Sequence, residues 1–184
     1  FNPATAGMLH LNGMAPQTIT NNGILSFGSN QAININNYTG IQLNSPVTFN
    51  STVNFTAGIV TVPDPVKITF SAAATAAGAS GTCFVDGKVE KIGNTAFSFP
   101  ISKPGFGLVP VGLNNFTGGS ATTAFTAEYR RQSANSLSTN LAPGIHHVSN
   151  LDHWTIENSG TDMPVVDVTL SWNAFTSNNG SVSF

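Results

Sequence analysis

The sequence predicts an all-β protein, a short repetitive β-solenoid or meander followed by an antiparallel β-sandwich, and three observations carry that expectation. Charge is scarce: Asp, Glu, Lys and Arg make up 8% of the 184 residues, against about 25% in an ordinary soluble domain. Asn, Ser and Thr take their place, in runs such as Asn21-Asn22, Asn36-Asn37 and Ser177-Asn178-Asn179. Such side chains bond to nearby backbone and favour turns and strand edges over helix interiors. Apolar residues then recur with period two, which puts alternate side chains on one face of a strand.

The first segment, residues 1–62, repeats an apolar-polar-apolar-polar phrase. It reads Ile33-Asn34-Ile35-Asn36, Ile41-Gln42-Leu43-Asn44, Val47-Thr48-Phe49-Asn50 and Val53-Asn54-Phe55-Thr56, at spacings of eight, six and six residues. Each phrase is a short strand, and the closing polar residue suits a corner, because Asn tolerates left-handed backbone. Two architectures produce such a period: rungs of a small solenoid, or strands of a meander joined by tight turns. Strands of four residues are at the short limit for a meander, whereas a stack pairs each of them on both sides.

Pro63-Asp64-Pro65 breaks the pattern by removing backbone donors and forcing extended geometry, which places a domain boundary there and a sandwich module over 63–184. Alternation resumes at Lys67-Ile68-Thr69-Phe70. Ala72 to Gly81 has no large apolar face and reads as a loop or irregular strand. Longer strands are expected at Thr82–Lys91, Thr95–Ile101, Ala121–Arg131, His153–Glu157 and Val165–Trp172, separated by turn signals such as Gly93-Asn94 and Gly118-Gly119. Asn135 to Asn140 is ambiguous. The thirteen Phe residues alternate with small polar ones, as in Ala96-Phe97-Ser98-Phe99 and Ala124-Phe125-Thr126, the pattern of rings turned into a core.

Composition also excludes partners. A net charge of −2 with six basic residues creates no field to hold a nucleic-acid backbone or an anionic membrane surface, and no apolar run approaches a membrane span. The single cysteine, Cys83, forms no disulfide framework and belongs to no metal-binding spacing. No cofactor motif is present. Phe1-Asn2-Pro3 lacks the basic and apolar regions of a secretory signal, so an exported protein would have lost its signal already, or the chain is a segment of something longer.

Four phrases in the second half carry a resemblance: Phe84-Val85-Asp86-Gly87-Lys88-Val89, Gly93-Asn94-Thr95-Ala96-Phe97-Ser98-Phe99-Pro100, Phe125-Thr126-Ala127-Glu128-Tyr129 and Val148-Ser149-Asn150-Leu151-Asp152-His153-Trp154-Thr155-Ile156. In this order they resemble the β-rich module of large Bacteroidota surface and adhesin-like proteins exported by the type IX secretion system. The resemblance implies an extracellular or cell-surface location, a structural or adhesive role and no catalytic residues. It also implies that the module is incomplete at its C-terminus, since relatives continue past the match to Val168–Asn173. An unfinished sandwich leaves an edge strand open to pairing with copies of itself or with neighbouring modules of a longer chain.

Several residues invite a chemical reading. His146, His147 and His153, with Asp152, are the densest group of metal-ligand types, but adjacent histidines on a strand face opposite sides and no zinc signature is formed. No Gly-x-Ser-x-Gly elbow exposes a serine. Glu90 and Glu128 lie on expected strands, where they face solvent or pair with Lys88, Lys91 or Arg130. A lone calcium site near Asp162 or Asp167 stays open, and the Asn-x-Ser/Thr sites at Asn37, Asn50, Asn54, Asn115 and Asn179 follow from an Asn/Thr-rich composition. A glycan-binding module would stack sugars on flat rings, for which Trp154, Trp172, Tyr38 and Tyr129 are the candidates. The expected function is a structural or adhesive building block of a bacterial surface protein or extracellular filament, not an enzyme; the alternative is a carbohydrate-binding module acting on surface glycans.

Overall fold

The computed structural model describes residues 7–134 and 149–171. In it each repeated phrase is one side of a three-sided coil. The strands β4 (Gln31–Asn36), β5 (Ile41–Leu43) and β6 (Val47–Phe49) make one complete turn. β1 (Gly7–Asn12), β2 (Gln17–Ile19) and β3 (Leu25–Phe27) form the turn before it. β7 (Val53–Ala57), β8 (Val60–Thr61) and β9 (Lys67–Phe70) form the turn after, and β10 (Ala76–Ala77), β11 (Val85–Asp86) and β12 (Lys88–Ile92) complete a fourth. Each strand pairs in parallel with its counterpart one turn away, in the orders β1-β4-β7-β10, β2-β5-β8-β11 and β3-β6-β9-β12. That pairing makes the segment a solenoid and not a meander, whose strands would pair with their neighbours in sequence.

Register places like on like. Leu11 lies beside Ile35, and Ile35 beside Phe55; Leu25, Val47 and Ile68 form another row. The inward positions of β5 and β6 are fully buried while their middle residues are not, which is the period-two pattern realised in three dimensions. Phe27, Phe49 and Phe70 stack along the third side, with ring centroids 5.5 Å apart at each step. This is close to the strand spacing of about 4.8 Å, so the backbone ladder sets the stacking distance of the rings.

The fourth turn breaks this row. Lys91 occupies the position that continues Phe70 and is 2% exposed. Its Nζ donates to the carbonyls of Ser71, Ala72 and Ala74 at 2.7, 2.8 and 2.9 Å, and it lies 5.3 Å from the Phe97 ring centroid. Phe97 takes over the stack, 5.1 Å from Phe70. An ammonium held by three carbonyls thus ends the aromatic row at the C-terminal end of the coil.

The boundary expected after residue 62 does not coincide with a change of fold. Pro63-Asp64-Pro65 makes the corner between β8 and β9 within the third turn, and parallel pairing continues to Ile92. Corner residues need no ladder donor, so proline is tolerated there as readily as in a linker. The strand expected over 82–91 is two strands in different sheets, β11 and β12, parted at Gly87. That glycine has φ +144°, and a Cβ on it would stand 2.3 Å from the Val62 carbonyl oxygen. Within the Ala72–Gly81 stretch, Ala76–Ala77 completes the first parallel sheet.

Antiparallel pairing begins after Ile92. β15 (Ala124–Arg130) pairs with β12, and β16 (His153–Asn158) with β15, extending the third parallel sheet to six strands. β13 (Phe97–Phe99), β14 (Val111–Thr117) and β17 (Val165–Leu170) form a separate three-stranded sheet. Phe97, Phe99 and Phe125 are buried in the same core as the solenoid residues. No helix occurs among the described residues. The ambiguous stretch 135–140 lies outside them.

Candidate functional site

Two surfaces stand out, and charge separates them. Every Asp, Glu, Lys and Arg lies at or beyond Asp64, so the first two turns carry none.

The first surface is the N-terminal end of the coil. Among the described residues β1, β2 and β3 are each the last strand of their sheet. Leu9, Leu11, Ile19, Leu25 and Phe27 are only partly buried and pack against the core from this end; Met8, Met14 and Ile24 are exposed, Met14 almost completely. Gln17 N–H donates to the Gly40 carbonyl and Leu25 N–H to the Pro46 carbonyl. Consecutive residues of a parallel strand turn their backbone groups alternately to its two neighbours, so Thr18 and Ser26 direct theirs outward, as do Met8 and His10. Natural sheet edges are blunted by lysine, proline, bulges or a covering segment. These three strands contain neither proline nor any charge.

The opposite end is closed. Ile101 adds a parallel bridge to Val85, β15 and β16 continue the third sheet, and Lys91 with Phe97 covers the core. The coil therefore presents one open end.

The second surface is the outer face of β9, β12, β15 and β16, where ion pairs gather. Lys67 Nζ lies 2.6 Å from Glu90, Lys88 2.6 Å from Asp64, and Arg130 2.6 Å from Glu128 and 3.6 Å from Asp64. Lys103 joins Asp86 and Glu128. Of the pairings expected from sequence, Glu128 with Arg130 is formed, whereas Glu90 takes Lys67. Burial alone would raise the Glu90 pKa, but the hydrogen bond and charge of Lys67, with hydrogen bonds from Ser159 and Thr69, outweigh it and hold the carboxyl below its ordinary value. The sign follows from linkage: the stability that Glu90 supplies is complete above the unfolded carboxylate range and is lost as pH falls through the lower native pKa. Thermal unfolding followed from pH 7 into acid is expected to show this loss in the wild type and a flatter acid limb in Glu90→Gln.

The proposed stacking rings do not share a platform. Tyr129 is 1% exposed; its hydroxyl donates to Asp152 at 2.6 Å, and Arg131 and Ser149 hold the same carboxylate. Trp154 is half-buried beside Tyr129 and donates its indole N–H to the Val109 carbonyl. Tyr38 is exposed on the corner between β4 and β5. Trp172, His146 and His147 lie outside the described residues. Asp162 accepts from Ser120 and Thr123 and Asp167 from Asn115, and no group of three potential ligands converges among the described residues. Cys83 is buried, which pushes its thiol pKa up to about 11. No protein-family model, curated protein or solved structure matches the chain.

Proposed function

We propose that this chain is a structural and adhesive building block that assembles through the open strand edges at the N-terminal end of its solenoid. The observation that carries this reading is the uncharged, unblunted first turn, whose three edge strands expose both backbone groups and the end of an apolar core. In this reading the face is covered by a second copy of the chain, with a neighbouring module of a longer chain as the other occupant of the same edge. Two identical ends related by a two-fold axis meet with their strands antiparallel, which aligns outward donors with outward acceptors. The antiparallel strands after Ile92 act as a cap, a small sandwich of β12, β15 and β16 over β13, β14 and β17, that stops growth from the other end. The resemblance of residues 84–156 to exported surface modules places such an assembly outside the cell, on a bacterial surface protein or filament.

Proline tests this without disturbing the core. At Thr18 or Ser26 it removes an outward donor and no internal hydrogen bond. Thr18→Pro with Ser26→Pro is expected to leave the unfolding free energy within about 1 kcal/mol of wild type and to abolish self-association in sedimentation velocity. Because the joined surfaces carry no charge, wild-type association is expected to persist in high salt, where an ion-paired contact would weaken. Undiminished association of the double variant would count against the reading.

A further inference from the structure

On the outer face of the extended sheet, β12, β15 and β16 enclose a cavity of about 220 Å³ whose wall includes Lys88, Thr126, Arg130, His153, Thr155 and Glu157. The strand register brings them together: Arg130 lies opposite His153 and Thr126 opposite Glu157. Trp154 and Ile156, between them in sequence, turn inward to the core.

His153 is the anomaly. It is 9% exposed, and its Nδ1 stands 3.1 Å from the Gln132 carbonyl oxygen. A carbonyl only accepts, so Nδ1 carries the proton, and in the neutral ring Nε2 is left as an acceptor. That Nε2 is buried and has no hydrogen-bond partner. A buried polar atom in a native protein is normally satisfied by protein, water or ligand.

The charges around it restrict what would satisfy it. Arg130 and Lys88 are already paired with Glu128 and Asp64, so the wall offers no free positive field to an anion. A simple cation would meet both of those basic groups. Glu157 is exposed and adds a second acceptor, and the Thr126 and Thr155 hydroxyls both donate and accept. A neutral ligand bearing several hydroxyls matches this mixture. The volume lies below the roughly 300–1,000 Å³ of drug-sized pockets, which suits a single ring.

We infer that this cavity binds one neutral sugar residue through hydrogen bonds, with a sugar hydroxyl donated to His153 Nε2. The site is separate from the assembly edge and uses none of the exposed rings. The test is to follow the ring nitrogens of His153 in ¹⁵N-labelled protein during titration with methyl glycosides of glucose, galactose, mannose and N-acetylglucosamine, and with neutral oligosaccharides built from them. Acetate and ammonium serve as charged probes. At least one glycoside is expected to move the Nε2 resonance saturably, with a dissociation constant in the range of about 1 mM. Glu157→Ala and Thr155→Val are each expected to weaken binding about tenfold while leaving the amide spectrum outside the cavity unchanged. Oligosaccharides that bind like the glycosides identify a chain-terminal residue as the ligand, and binding by the glycosides alone identifies a free sugar; both uphold the inference. No response to any sugar, equal affinity in both variants, or a response to acetate or ammonium alone would overturn it.

Discussion

Gly58→Ala is expected to cost at least about 4 kcal/mol of stability, the largest effect of any single methyl group added to the coil. Gly58 has φ +87°, and a Cβ built on it would lie 1.7 Å from the Asn37 carbonyl oxygen and 2.7 Å from the carbonyl carbon. Backbone obstructs it, so no side-chain rotation relieves the contact. Asn37 cannot retreat either. It is fully buried, and its amide donates to Ala15 O and to Gln17 Oε1, both at 2.9 Å. Its side-chain oxygen accepts from Thr39 N–H and hydroxyl. Corner residues of three successive turns are thereby tied together, and moving one separates the ladder above from the ladder below. Gly105 provides the control: its φ is +83°, but nothing lies within 4 Å of an added Cβ. Gly105→Ala is expected to cost only the left-handed backbone penalty, about 1–2 kcal/mol. Urea unfolding of the two variants separates conformational strain from close approach, and equal losses would contradict the described corner.

Lys91→Met is expected to destabilise the protein by about 3–5 kcal/mol. Methionine matches lysine in length and apolar character, so packing is nearly conserved, but the Ser71, Ala72 and Ala74 carbonyls lose their shared donor inside the core. Burial pulls the Lys91 pKa down to about 8, so at neutral pH the side chain is still predominantly an ammonium. The loss should be concentrated in the fourth turn. In hydrogen exchange, Val89 and the other amides of β12 are expected to lose protection before those of β4 and β5. By comparison Lys67→Met removes a half-exposed partner of Glu90 and is expected to cost about 1 kcal/mol or less.

These residues also explain what could be read in advance. The repeated phrases of turns two and three were legible because nothing interrupts them: the inward positions are Ile, Leu, Val and Phe, and Asn marks the corners. The fourth turn was hidden by its own specialisation. Loops lengthen it, its first strand is only Ala76–Ala77, and the residue in line with the Phe row is a lysine, which pattern reading assigns to solvent. Pro63-Asp64-Pro65 misled because a proline-rich corner and a linker look alike in one dimension. β14 was missed since Gly112 and Asn114-Asn115 weaken its alternation, and Asn115, with φ +51°, sits where the register to β17 shifts.

The surfaces were legible only in part. Low charge was evident, but its meaning depends on the fold, which gathers all the ion pairs at one end and leaves the three edge strands of the other bare. Tyr129 looked like a ring with a wet polar tip, whereas Asp152 satisfies that tip inside the protein. His153 read as an ordinary strand histidine, and no spacing in the sequence signals that one of its nitrogens ends up buried beside a polar cavity.

Assembly through the first turn is the central claim, and hydrogen exchange at the outward amides of Met8, His10, Thr18 and Ser26 tests it most directly. Measured over a dilution series, these four amides are expected to exchange freely in dilute protein and to gain protection together as concentration rises, while Leu9, Gln17 and Leu25, bonded within the coil, stay protected throughout. Free exchange of the four at every concentration, or full protection already in the dilute monomer, would contradict it.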